Sequence, residues 1–196
     1  MDINDRISHR IRALREARRW SLETLAERSG VSRSNISLIE RGESNPTATV
    51  LDKLSAALGV TLASLFEVPT VSEGASSPIA RVAEQPVWTD PASGYARRNV
   101  SPAAPSPVQL VDVVFPAGQR VAYEAVARDN EVHQQVWMID GALEISVGDV
   151  VWQLTAGDCL AMHLDEPIVY RNPGTTPARY LVALVTLPYL PARRST

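Results

Sequence analysis

The fold is decided by residues 21–42, which read SLETLAERSGVSRSNISLIERG. Leu22 and Leu25 fall on one face of a helix, as an apolar residue every three to four positions requires. Ser21 is positioned to cap the start of that helix, and Gly30 follows its end, where a positive φ angle is needed. The pattern therefore predicts a short helix followed directly by a tight turn.

A second helix is predicted after the turn. Ser32 can cap it, and Ile36 and Ile39 form its buried stripe. The outer side of this helix is left with short polar residues and an arginine near its start, a composition that suits the major groove of DNA. These outer residues are Arg33, Ser34, Asn35 and Ser37.

The positions that carry a family pattern are 25–26, 30–32, 36–37, 39–42, 46–47 and 58–60. Through them, residues 6–66 resemble the phage-repressor and Cro-like (XRE) family of bacterial helix-turn-helix regulators. Within this stretch Thr61 is positioned to cap a short fifth helix through Leu65 and Phe66, so a five-helix bundle is predicted. The resemblance also implies that Arg15 pairs with Glu40, bracing the first helix against the recognition helix.

The resemblance implies double-stranded DNA as a partner, with a palindromic operator read by a homodimer. Arg33 is expected at a base or a phosphate, and Ser34 and Ser37 at bases, although the DNA is needed to fix each role. Phosphate contacts are expected from the remaining polar positions. The full expected set is Ser21, Ser32, Arg33, Ser34, Asn35, Ser37 and Arg41.

Composition sets broad limits on the 196 residues, whose formal net charge is −3. Residues 1–66 carry 10 Lys and Arg against 8 Asp and Glu, so DNA affinity must come from the placement of arginines rather than bulk charge. A single cysteine, Cys159, excludes an intrachain disulfide and a cysteine zinc site. No run is apolar enough for a membrane span, and the start lacks a signal-peptide pattern, so a cytoplasmic protein is expected.

The pattern changes after a Pro-, Ser- and Gly-containing stretch at 67–77, which is interpreted as a linker. The predicted division is 1–66 for the DNA-binding domain and 78–196 for a ligand-sensing, dimerising domain. Short apolar or alternating runs separated by turn residues predict an all-β second domain, and thus a two-domain α + β chain. The predicted strands are 79–83, 95–100, 108–115, 132–139, 143–147, 150–154, 159–163, 168–170 and 180–186.

Residues 115–118, 137–141, 154–158 and 171–172 make the second half similar to a cupin, a small antiparallel β-barrel. Catalytic cupins hold a metal through histidines and a glutamate. The matching positions here carry Gln134 and Ile168, which leave no recognisable set of ligands. No metal, no cofactor and no enzymatic activity are therefore predicted. A His133–His163 pair inside the barrel remains an open alternative.

A barrel without metal can still bind a small-molecule effector, and alternation along the strands points one set of side chains inward. The expected ligand-binding residues are Tyr123, Glu124, Gln134, Val136, Met138, Ile168, Tyr170 and Asn172. The favoured hypothesis is thus a DNA-binding transcriptional regulator controlled by an effector. One alternative is a metal-dependent cupin oxygenase or isomerase with a helix-turn-helix head, and another is a module that contacts protein rather than DNA.

Overall fold

The computed structural model describes residues 2–66, 77–126, 128 and 130–188. Residues 2–66, here called the head, contain four α-helices and a 3-10 turn. No helix among the described residues combines the length and the apolar character needed to cross a membrane. The helices are α1 (Ile3–Ala17), α2 (Leu22–Ser29), α3 (Arg33–Glu40) and α4 (Ala48–Ala57), and the 3-10 turn is Ala63–Phe66.

The helix starts follow the sequence signals. Ser21 caps α2 by accepting a hydrogen bond from the Thr24 amide at 3.0 Å, and Ser32 caps α3 through the Asn35 amide at 3.3 Å. Gly30 ends α2 with φ +67°, a left-handed conformation that favours glycine. The predicted helix, turn and helix are confirmed.

The expected five-helix bundle is wrong in its last element. Where the fifth helix was predicted, Thr61 caps only the 3-10 turn, its hydroxyl accepting from the Ser64 amide at 3.2 Å. The Ser64 amide donates to the Thr61 carbonyl at 3.1 Å and the Leu65 amide to the Leu62 carbonyl at 3.2 Å. This spacing of three residues is that of a 3-10 helix rather than an α-helix. Ten residues of the predicted linker, 67–76, lie outside the described residues.

Residues 77–188, here called the β-domain, form two antiparallel sheets. One sheet has the strand order β1-β2-β3-β10-β5-β8 and the other β4-β9-β6-β7. The strands are β1 (Val87–Thr89), β2 (Ala96–Asn99), β3 (Val108–Phe115), β4 (Arg120–Tyr123), β5 (Asn130–Asp140), β6 (Ala142–Val147), β7 (Val150–Thr155), β8 (Cys159–His163), β9 (Ile168–Arg171) and β10 (Ala178–Pro188).

The predicted closed barrel is replaced by two facing sheets, since no hydrogen-bonded ladder joins them in the described part of the chain. Closure would need the edge strands to pair, yet β1 and β4 have only three and four residues. Gly141, at φ +79°, makes the turn between β5 and β6. A Cβ there would lie 2.9 Å from the backbone of Ala178, so the close approach requires glycine.

Two strands are absent from the predicted set and one predicted strand does not form. Residues 79–83 form no strand, and the last two belong to a 3-10 turn, Val82–Glu84. The segment lies between Pro78 and Pro86, which cannot donate hydrogen bonds to a neighbouring strand. Strands β1 and β4 were missed, since each is too short to show alternation.

The head and the β-domain make direct contacts, here called the seam. The α4 start donates from the Ala48 amide to Asp90 Oδ1 at 2.9 Å, and the Phe66 ring lies 5.5 Å from the Trp88 ring. The Thr61 hydroxyl donates to Gln109 Oε1 at 2.6 Å. The seam therefore combines apolar packing with directional hydrogen bonds.

Candidate functional site

Helix α3 presents its polar side outward, as its sequence predicts. Arg33 and Ser34 are exposed, whereas Asn35 and Ser37 are half-buried. The Arg33 guanidinium makes one loose ion pair, 3.7 Å from Glu23 Oε2, with both side chains about two-thirds exposed. Exposed pairs of this kind contribute little to stability, so Arg33 is available to a phosphate or a base.

Arg41, at the end of α3, already has partners. Its guanidinium contacts both carboxylate oxygens of Glu43, at 2.9 and 2.8 Å, and donates to the Ser37 hydroxyl at 2.7 Å. A phosphate contact from Arg41 would have to exchange with Glu43. Leu38, which the sequence reasoning missed, is 38% exposed on the same helix and could meet a thymine methyl group.

Helix α3 is held by the Arg15–Glu40 pair that the family resemblance implies. Arg15 Nε and Nη2 each donate to one Glu40 carboxylate oxygen at 2.7 Å, and Arg15 Nη1 donates to the Trp20 carbonyl at 2.8 Å. The Glu40 side chain is only 7% exposed. Hydrogen bonding to Glu40 raises the pKa of Arg15, and the charge-assisted bonds orient α3 on α1.

A cavity of about 90 Å³ lies between the β-domain and the head. This is several times the roughly 10–15 Å³ that one water molecule needs. Head residues Asp52, Thr61 and Leu62 form part of its wall, and inward residues of both sheets form the rest. The cavity is thus bounded by both domains rather than by the β-domain alone.

Neutral hydroxyl groups and an amide line the cavity. The hydroxyls of Tyr95 and Tyr123 are 2.9 Å apart, and Gln134 Nε2 donates to the Tyr170 hydroxyl at 2.5 Å. Burial raises the pKa of each of these tyrosines and of Tyr180, so all four keep their protons at neutral pH. These tyrosines and Gln134 therefore offer hydrogen bonds without negative charge.

Two arginines reach the same cavity. Arg128 Nη2 donates to Asp52 Oδ1 at 2.8 Å across the seam, and both side chains are nearly buried. Arg97 lies on β2, 9% exposed, with its guanidinium carbon 5.2 Å from the Phe66 ring centre. At the rim, Lys53 Nζ lies 2.9 Å from Glu124 Oε2, and the Glu124 side chain is 74% exposed.

Comparison with known proteins identifies the head. Residues 11–65 match a protein-family model described as helix-turn-helix. This head is a helix-turn-helix domain. Residues of the same part are 45% identical, over 62 residues, to the HTH-type transcriptional regulator SlrR of Bacillus subtilis, a match covering 31% of this chain and 41% of that one.

Similarity extends beyond the helix-turn-helix domain. The chain is 29% identical over 185 residues to the HTH-type transcriptional regulator SutR of Escherichia coli, covering 86% of this chain and 88% of SutR. A crystal structure of an HTH_3 family transcriptional regulator from Vibrio cholerae shares the fold, with a TM-score of 0.73 and 20% identity over 93% of this chain and 96% of that one. The proteins to which this chain is similar are named as HTH-type transcriptional regulators, and the Vibrio cholerae structure shows that the fold is shared over both parts of the chain.

Five of the expected ligand-binding residues line the cavity. Val136 and Met138 do not, since both are fully buried in the core between the sheets. Asn172 is also corrected: it is 0% exposed and organises a turn, donating to the Phe115 and Thr176 carbonyls at 3.1 and 2.9 Å. The five lining residues are Tyr123, Glu124, Gln134, Ile168 and Tyr170.

The cavity residues that the sequence reasoning missed are Asp52, Arg97 and Arg128, among others. Asp52 belongs to the helix-turn-helix domain, and no local pattern connects it to a barrel interior. Arg97 follows the alternation of a four-residue strand, β2, which is too short to reveal its inward face.

The interior does not fit the metal that catalytic cupins hold. The Gln134 side-chain amide donates to the Tyr170 hydroxyl, and the Ile168 side chain has no atom that can bind a metal. The His133–His163 pair is not between the two sheets. The two residues face each other across β5 and β8 on the outer face of their sheet, on the side opposite to Gln134. Their rings and Glu131 form a surface cluster whose ligand atoms lie within 4.8 Å of one another, so any ion they hold would be on the outer face.

Proposed function

We propose that the chain is a DNA-binding regulator whose effector binds in the cavity between the β-domain and the helix-turn-helix domain. The observation that carries the proposal is the origin of the cavity wall: Asp52, Thr61 and Leu62 come from the domain that binds DNA. A ligand that contacts them more favourably in one arrangement of the domains shifts the population toward that arrangement.

DNA recognition is assigned to the outer side of α3. The exposed Arg33 and Ser34 lie at its start, and Ser21 caps the preceding helix with its hydroxyl exposed, as a phosphate contact needs. The Arg15–Glu40 pair fixes the angle of α3 on α1, which defines the angle at which α3 meets the groove. Ser32, Asn35, Ser37 and Arg41 complete the proposed DNA-binding set.

The proposal includes a homodimer on a palindromic operator, because a single head makes few base contacts. Trp137 and Trp152 are about half exposed on the two sheets and are candidate dimer anchors, since aromatic residues are enriched in interface cores. It also keeps the division at 1–66, 67–77 and 78–196, and a cytoplasmic location. Light scattering of the full chain tests the dimer.

The first experiment selects binding sites from a random duplex library and measures affinity by fluorescence anisotropy over a range of salt concentrations. A selected palindrome, bound with a steep salt dependence, is the expected result. Arg33→Ala should weaken binding, whereas Arg171→Ala, an exposed arginine of the β-domain paired loosely with Glu144, should not. Failure to select any sequence would overturn the DNA-binding function.

A metal-dependent enzyme remains a second hypothesis, and a metal titration distinguishes it from the regulator. Thermal unfolding with iron, nickel, manganese and zinc is compared between the wild-type chain and His133→Gln. A metal shift that the variant loses belongs to the surface cluster of Glu131, His133 and His163. A large shift that the variant keeps would favour an interior metal site and the enzyme hypothesis.

A further inference from the structure

We propose that the effector is a small organic anion, a carboxylate with a short apolar chain, whose charged end binds Arg97. This inference rests on the proposed effector site and names the chemistry of its ligand. Arg97 is only 9% exposed and belongs to the wall of the cavity. The charge of Arg97 is the feature that the ligand has to match.

Arg97 is a buried cation without a carboxylate partner. Among the residues that the structure describes, no Asp or Glu oxygen lies within 4.0 Å of its guanidinium. Its Nε is buried and has no hydrogen-bond partner. The Phe66 ring beside it supplies an attractive but weak contact for a charge removed from water. An uncompensated buried charge is costly, and an anion in the cavity would compensate it.

The charges around the cavity favour an anion rather than a cation. The nearly buried wall contains Arg97 and Arg128 but only one carboxylate, Asp52, which is paired with Arg128. Arg128 Nε is also buried without a hydrogen-bond partner. Glu124 and Glu166 lie at the exposed rim, where water screens them. The interior therefore carries one positive charge in excess.

The remaining wall specifies the rest of the ligand. The hydroxyls of Tyr95 and Tyr123 bond to each other, which leaves the neutral pair one O–H proton to donate to a carboxylate oxygen. Apolar side chains line the cavity beyond these groups and suit a hydrocarbon chain better than an inorganic anion. The volume of about 90 Å³ limits that chain to a few carbons. The apolar lining includes Val113, Phe115, Val121, Val132, Ile168 and Leu184.

The test uses three probes with the same carbon skeleton and different charge: butyrate, butyramide and butylamine. Each is added at about 10 mM, at matched ionic strength, to the full chain, and thermal unfolding is followed. A ligand at about ten times its dissociation constant should raise the melting temperature by roughly 3–6 °C. Straight-chain carboxylates of two to six carbons, benzoate and inorganic phosphate complete the panel.

The proposal expects a shift with at least one carboxylate and none with butyramide or butylamine. Arg97→Met should abolish that shift, and Arg97→Lys should weaken it, since lysine keeps the charge but loses the planar fork. Arg98→Met is the matched control, because Arg98 is the next residue of the same strand and is not part of the cavity wall. If Arg97→Met fails to fold, the Arg97→Lys variant and the response of the wild-type chain to the probes still test the proposal.

Three results would overturn the inference: no shift with any carboxylate, an equal shift with the amide, the amine or phosphate, or an undiminished shift in Arg97→Met. These failures are distinguishable from failure of the proposed function. DNA binding of the same preparation is measured separately, and a shift with a non-anionic metabolite would keep the effector cavity while removing the anion.

Discussion

Two arginine–carboxylate pairs, one inside the head and one across the seam, show how the two regions differ. Arg15 and Glu40 share two hydrogen bonds of 2.7 Å, and Arg15 also contacts the Trp20 carbonyl. Arg128 and Asp52 share one contact of 2.8 Å, and Arg128 Nε has no partner. Both pairs are nearly buried, yet every guanidinium nitrogen has a hydrogen-bond partner only in Arg15.

The difference lies in what surrounds each pair. The Arg15–Glu40 pair joins two helices of one packed core, where Ile7, Ile11 and Ile39 are fully buried. The Arg128–Asp52 pair borders a cavity and joins two domains. A fully bonded pair in a dense core favours one geometry, whereas a singly bonded pair beside a cavity can exchange partners. We therefore expect a rigid head and an adjustable seam.

The strongest test of this contrast is Glu40→Gln. The change keeps the shape of the side chain but removes the buried carboxylate, so that the nearly buried Arg15 keeps only the exposed Glu16, 3.6 Å away, as a counter-ion; this should lower the free energy of unfolding by about 3–5 kcal/mol. Urea denaturation measures it. Glu23→Gln is the control, because Glu23 is an exposed partner of the exposed Arg33, at 3.7 Å, and its loss should leave the midpoint nearly unchanged. Equal effects of the two variants would contradict a special role of the buried pair.

Asp52→Asn addresses the other pair. This pair has one hydrogen bond instead of two, and Arg128 borders a cavity in which it can find another partner, so the expected loss of stability is smaller, about 1.5–3 kcal/mol. The same denaturation experiment measures it. If this variant were as damaging as Glu40→Gln, the seam would be as rigid as the head and the contrast would disappear.

Arg33→Ala moves the comparison to function. Since Arg33 is exposed and loosely paired, its removal should leave stability unchanged but cost about 1–3 kcal/mol of DNA binding and relax specificity at one base position. Anisotropy with the selected duplex and its single-base variants gives both quantities. A uniform loss across all sequences, with a shallower salt dependence, would instead assign Arg33 to a phosphate.

The smallest effect is expected from Lys53→Gln, which removes the second ion pair of the seam. Glu124 is largely exposed, so the pair should contribute about 0–1 kcal/mol, and less at high salt. Denaturation at two salt concentrations checks this. A loss matching that of Asp52→Asn would mean that the rim, rather than the buried pair, holds the domains together.

The head could be predicted almost completely because its signals are local. Caps such as Ser21 and Ser32, and the stripe of Ile36 and Ile39, act within a few residues of the chain. The fifth helix was wrong because a cap and two apolar residues are as compatible with a 3-10 turn as with an α-helix. Local rules establish where a helix can start more reliably than whether it continues.

The cavity could be predicted only in part because it is a non-local feature. Alternation along β5 correctly pointed Gln134 inward, but the same rule included Val136 and Met138, which lie deeper in the core. Asp52 is 76 positions before Arg128, and no periodicity links residues so far apart. How the head covers the β-domain depends on the packing between them, and the residues that determine this packing are spread over the surfaces of both.

The aromatic column that runs from the head into the β-domain makes the seam visible to spectroscopy. Phe66, Trp88, Tyr95 and Phe115 follow one another at ring separations of 5.5, 6.0 and 5.5 Å. Trp88 is 1% exposed, while Trp137 and Trp152 are about half exposed. With Trp20, Trp137 and Trp152 replaced by phenylalanine, emission would report on Trp88 alone, and a shift to longer wavelength would record, in real time, water entering between the domains.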